Sequence, residues 1–97
     1  MNIAQKIKAI RKAEGLTQAK FCEISGLALS TLKNYEGGHA EPGLQVVLRI
    51  TNTPQLEKYT LWLMTDKTAP ESGQISPVVA HSGQDETTLS LSGRKTG

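Results

Sequence analysis

The sequence predicts an all-α domain over residues 1–65, followed by a polar C-terminal tail at 66–97. Three observations predict it. Apolar side chains recur at spacings of three and four through five short segments, the period of one buried helix face. Glycine or proline falls between successive segments, at Gly15, Gly26, Gly37-Gly38, Pro42 and Pro54. Beyond Met64 the composition changes: residues 65–97 hold five Ser, five Thr, four Gly and two Pro, 16 of 33, too little apolar surface to offset the entropy of ordering.

The elements follow in order. Asn2 suits the N-cap of a first helix with Ile3, Ile7 and Ile10 on one face, ended by Gly15. Thr17 caps a short second helix reaching Ile24 or Ser25. Gly26 then turns the chain without a Cβ penalty, and Leu27 plugs the corner. A third helix starts about Ala28 and stops at Gly37-Gly38, with Leu32 and Tyr35 inward and Ser30, Thr31, Lys33 and Asn34 largely outward. Pro42 opens a fourth, roughly 43–50, with Leu44, Val47 and Leu48 as its expected buried stripe. Thr53-Pro54 matches an N-cap with proline at the first helical position, so a fifth helix runs from there to about Met64. In the tail, Ile75, Val78 and Val79 and then Leu89 and Leu91 interrupt the polar composition. The alternation around Leu89 and Leu91 admits a short edge strand docked on a partner as the alternative to a solvated tail.

Ninety-seven residues hold one small domain, and its helices are too short to stand alone in water, so packing must hold them. Dimerisation would add to a core of this size. Residues 1–64 carry eight Lys/Arg against five Asp/Glu, or +3; residues 65–97 carry three against four, or −1, which together make the net +2. The single cysteine, Cys22, forms no internal disulfide and reads as a small buried hydrophobe, with His39 and His81 far along the chain. No apolar run has bilayer-spanning length and no signal pattern opens the chain, so a cytoplasmic protein with no membrane partner is expected. No Ser/His/Asp set, paired-carboxylate site, Gly-rich phosphate loop or metal cluster is present, and the expectation is no enzyme, no catalytic residue, no metal and no cofactor.

From Thr17 to Glu36 the chain reads TQAKFCEISGLALSTLKNYE: helix, glycine corner, helix, with polar residues outward on the second. Leu16, Thr17-Gln18, Phe21, Gly26, Leu27, Ser30-Thr31, Leu32, Tyr35-Glu36, Gly37, Glu41-Pro42 and Leu44 together resemble the Cro and phage-repressor type helix-turn-helix domain, the xenobiotic-response-element family of prokaryotic regulators. The resemblance covers about residues 3–64. It implies a five-helix lambda-repressor-like fold and a sequence-specific transcriptional regulator, usually a repressor and nucleoid-associated, that binds a palindromic double-stranded DNA operator as a homodimer with the third helix in the major groove.

Carried over residue by residue, the resemblance places Gln18 on a backbone phosphate and Leu29, Ser30, Lys33 and Asn34 at base edges. Ala28, Thr31 and His39 complete the DNA-facing set, although Thr31 and His39 also suit ordinary local roles. Arg11 is expected to pair with Glu36, and Lys6, Lys8, Lys12 and Lys20 to supply local positive potential. Two positions depart from the family: Ala28 replaces the usual capping Ser or Thr, and Leu29 stands where a polar residue is common. Leu29 is then either a contact for a thymine methyl or a partly buried corner residue. Tyr59, Trp62 and Leu63 give the last helix more than one apolar side, and the outer side is assigned to dimerisation or to a docked tail. Alternative functions are an antitoxin that represses its own operon and binds a toxin, and a protein-interaction adaptor; a protein co-regulator is a further possible partner.

Overall fold

A computed structural model describes residues 1–77, and residues 78–97, with the expectations for Val78, Val79, His81, Leu89 and Leu91, lie outside the described residues. The regular structure of the described residues is helical apart from one bridge pair: α1 Ile3–Ala13, α2 Gln18–Ser25, α3 Leu29–Glu36, α4 Leu44–Thr51 and α5 Thr60–Thr65, the last entered through a 3-10 turn at Glu57–Tyr59.

Local chemistry sets most of the boundaries. The Asn2 side chain accepts from the Gln5 amide at 2.8 Å, and the Gln5 side chain accepts from the Asn2 amide at 2.9 Å, a reciprocal capping box. Thr17 Oγ1 accepts the Lys20 amide at 3.0 Å and starts α2. Gly26 takes a left-handed φ of +79° and its N–H closes on Cys22 O at 2.8 Å. A Cβ there would also stand 3.1 Å from the Arg49 guanidinium, so both backbone and neighbour select glycine.

The core is formed by Ile7 and Ile10 from α1, Phe21 and Cys22 from α2, Leu32 from α3, and Val47 and Ile50 from α4. Leu56, Tyr59, Trp62 and Leu63 close it. Helix α1 packs against both α3 and α5, and α2 against α3. That arrangement fixes α3 from behind and leaves its front in solvent.

Several expectations change. The fifth helix does not begin at Thr53-Pro54: the Thr53 hydroxyl donates back to Arg49 O at 2.7 Å, closing α4 instead of capping forward, and residues 53–56 form a turn. In α4 the buried stripe is Val47 and Ile50, while Leu44 and Leu48 stand 63 % and 43 % exposed. Lys6, expected to contribute surface charge, is 3 % exposed. Its ammonium donates to the carbonyls of Trp62 at 3.1 Å and Leu63 at 3.3 Å and pairs with Asp66 at 2.6 Å. It thereby satisfies the last carbonyls of α5, where a cation is favoured. Asp66, with φ +66°, turns the chain out of the helix, and the Lys6 hydrogen bond and charge hold its carboxyl below the ordinary value.

Residues 66–77, assigned from composition to the start of the tail, fold back on the domain. Ala69 and Gln74 bridge around a 3-10 turn at Pro70–Ser72. The Gln74 side chain accepts the Leu61 amide at 3.0 Å and donates to Glu57 O at 3.2 Å, and the Ile75 amide donates to Lys58 O at 2.9 Å.

Candidate nucleic-acid interface

Helix α3 presents two distinct faces. Leu32 and Tyr35 are buried, Thr31 is half-buried, and Leu29, Ser30, Lys33 and Asn34 are exposed together. At 100° per residue those four positions share one side of the helix. Ala28, the residue before the helix, is exposed and makes no side-chain cap, so the first-turn amides of α3 receive no acceptor from that side chain. At the other end, the His39 amide donates to Asn34 O at 2.9 Å, and the His39 ring lies over Gly37, where a Cβ would come within 2.9 Å of it. His39 is exposed beside the end of α3, on the side opposite Ala28 along the helix axis.

A polar clamp behind this helix joins α1, α2 and α3. Arg11 Nε donates to Glu36 Oε2 at 2.7 Å and Nη2 to Oε1 at 2.9 Å, while Nη1 reaches Leu16 O at 2.9 Å. The Gln18 amide donates to the same Glu36 Oε1 at 3.0 Å. A primary amide has two N–H donors, so one remains free on Gln18 at the first residue of α2. Burial by itself would push the Glu36 carboxyl up; hydrogen bonds from Arg11 and Gln18, the Arg11 charge and nearby Lys8 hold it below the ordinary value. Burial also raises the thiol of Cys22, with the Glu36 charge adding to it. Of the remaining lysines, Lys20 pairs with Glu23 on its own helix at 3.2 Å, Lys8 is half-buried and Lys12 is exposed.

The residues assigned to dimerisation are placed elsewhere. Tyr59, Trp62 and Leu63 all belong to the core. The Tyr59 hydroxyl donates to Glu14 Oε2 at 2.6 Å, and Glu14 also receives Gln55 at 3.1 Å and Lys58 at 3.0 Å. Burial and the Glu14 carboxylate raise the Tyr59 hydroxyl well above its usual range. The apolar side chains standing in solvent on the last two helices are instead Leu44, Leu48 and Met64. Arg49, absent from the sequence-based set, reaches Gly26 O at 3.4 Å across the corner between α2 and α3. Twenty-three residues separate the two, and no local pattern marks that contact.

The carboxylates also set the acid response. Burial opposes ionisation of Glu14, but hydrogen bonds from Tyr59, Gln55 and Lys58 and the Lys58 charge leave its carboxyl lowered, as Glu36 is. A lowered carboxyl stabilises the fold above the unfolded pKa of about 4.3 and loses that contribution as pH falls through the folded value. Urea midpoints are therefore expected to stay level from about pH 7 to about pH 5 and to drop below about pH 4. A midpoint as high at pH 3 as at pH 7 would contradict these assignments. The raised Tyr59 hydroxyl predicts a second decline, beginning where an unfolded tyrosine ionises, at about pH 10.

Two helices joined by a tight glycine corner, the second braced from behind and polar in front, define a helix-turn-helix DNA-binding domain. The helix-turn-helix family model matches residues 7–58, and the chain belongs to that Cro/C1-type family. Along 95 residues it is 47 % identical to "Repressor protein C" of Escherichia phage P2, an alignment covering 98 % of this chain and 96 % of that relative.

Proposed function

We propose that this chain is a sequence-specific transcriptional repressor, cytoplasmic and bound to the nucleoid, that inserts α3 into the major groove and acts as a homodimer on a two-part operator. The observation that carries the reading is the exposed Leu29–Ser30–Lys33–Asn34 face, held from behind by the Arg11–Glu36–Gln18 clamp. Within it, Ser30, Lys33 and Asn34 supply hydrogen bonds to base edges, and Gln18 and His39 contact phosphates on either side. Thr31 and Ala28 line the approach of the helix to the groove. The near-complete alignment with a phage protein named as a repressor supports repression over activation.

Fluorescence anisotropy with duplex DNA tests this. Affinity should fall steeply with salt, in proportion to the phosphates neutralised. Lys33→Ala should weaken specific binding by about fivefold to 150-fold per half-site, the worth of roughly one good base contact, with the melting temperature unchanged. Salt-insensitive binding, or full affinity in Lys33→Ala, would reject the groove-binding reading and favour a protein-interaction adaptor. A two-fold symmetric dimer matches a palindromic pair of half-sites. Footprinting and sedimentation check this arrangement: half-sites in direct repeat would overturn the palindrome, and a monomer on a single half-site would overturn the dimer.

A further inference from the structure

Leu29 is the one large apolar residue of α3 that the core does not use. Leu32 and Tyr35 are buried, whereas Leu29 stands 40 % exposed in the first turn. Leu27 occupies the corner and packs against the core, whereas Leu29 is not one of the side chains packed against it. The preceding residue, Ala28, is also exposed and adds only a methyl group. Residues 28 and 29 thus form an apolar leading edge on a face whose remainder, Ser30, Lys33 and Asn34, is polar.

An apolar edge entering the major groove meets mostly hydrogen-bonding groups, which a leucine would leave unsatisfied. Among the four base pairs, the C5-methyl of thymine is the apolar group displayed there. We propose that Leu29 is a specificity-determining residue that packs on a thymine C5-methyl, so each bound half-site carries a thymine opposite the first turn of α3. This rests on the DNA-binding reading above and adds to it the chemical group recognised at one position. Selectivity arises from two effects of the same sign. Contact removes both the methyl and the leucine from water, and any other base would present a polar edge to a side chain that cannot pair with it.

The test starts from the duplex that the full chain selects out of a random-sequence pool. Each thymine of that duplex is replaced in turn by deoxyuridine, which removes only the methyl group. One sensitive position is expected in each half-site, and each single replacement there should weaken wild-type binding roughly three- to fivefold, the effect of about one buried methyl group. The same replacement should leave the affinity of Leu29→Ala unchanged, and that variant should melt with the wild type because the side chain is outside the core. Should Leu29→Ala bind too weakly to titrate, Leu29→Val takes its place and should lose part of the preference for thymine over deoxyuridine. The proposal is overturned if no replacement affects the wild type, or if the sensitive position weakens wild type and variant equally. A pool that yields no enriched sequence rejects sequence-specific DNA binding itself, a separate failure from loss of methyl recognition.

Discussion

Replacing Trp62 with alanine should unfold the domain rather than release folded monomers. The indole is 8 % exposed and stands in the core between α5 and the buried end of Lys6, whose ammonium lies 5.2 Å from the ring centroid. Removing it leaves a cavity and admits water to a lysine that also holds the Trp62 and Leu63 carbonyls. Truncations of this kind cost about 3–5 kcal/mol. A core of this size supplies on the order of 3–5 kcal/mol of net stability, so the loss is comparable to the whole. Circular dichroism should show the melting temperature lowered by at least roughly 12 °C, at about 4–8 °C per kcal/mol for a domain this small, or no cooperative transition at all. Sedimentation should report an expanded chain. A compact monomer with native melting behaviour would instead place Trp62 at a subunit interface.

The Arg11–Glu36 pair should be the next most costly to break. The Glu36 side chain is 5 % exposed, and in Arg11→Ala it would retain only the Gln18 amide. An ion left uncompensated in such a site costs about 3–5 kcal/mol, and the partial solvent access of Arg11 puts the expectation near the lower bound of about 3 kcal/mol. The loss also frees the Leu16 carbonyl and the angle between α1 and α3, so specific DNA affinity should fall with it. Glu36→Gln should be milder, because the new amide oxygen can still accept from Arg11, whose guanidinium keeps the Leu16 carbonyl and, at 13 % side-chain exposure, more solvent than the buried carboxylate has. Replacing both partners with apolar residues of similar volume should recover much of the stability without restoring DNA binding. Chemical denaturation of the two single variants and the double variant measures the coupling. A cost below about 1 kcal/mol for Arg11→Ala would make the pair an ordinary surface bridge.

These two expectations differ in what made them visible. Arg11 and Glu36 were legible because the family resemblance names both positions, and the structure brings them into bidentate contact. The inward position of Trp62 was not legible. A helix reading TLWLMT is apolar around most of its circumference, and its sequence pattern does not say which side meets the core. Helix α4 poses the same ambiguity: Leu44, Val46, Val47, Leu48 and Ile50 admit more than one buried stripe, and packing selected Val47 and Ile50. The folded-back segment at 66–77 was hidden for a related reason. It is held by backbone and Gln74 hydrogen bonds to residues 57–61, which leave no apolar period in the sequence.

Residue types read along the chain specify five helices in order, the caps at Asn2 and Thr17, the glycine corner at Gly26 and the polar character of the front of α3. Each of these depends on interactions within about four residues, where residue type constrains backbone geometry directly. Packing between distant segments is what buries Lys6, brings Arg49 to the corner, leaves Leu44 and Leu48 in solvent and takes Tyr59, Trp62 and Leu63 out of it. Those outcomes turn on partners as far apart as Lys6 and Leu63, and on which of several apolar faces excludes water most completely when all five helices close on one core.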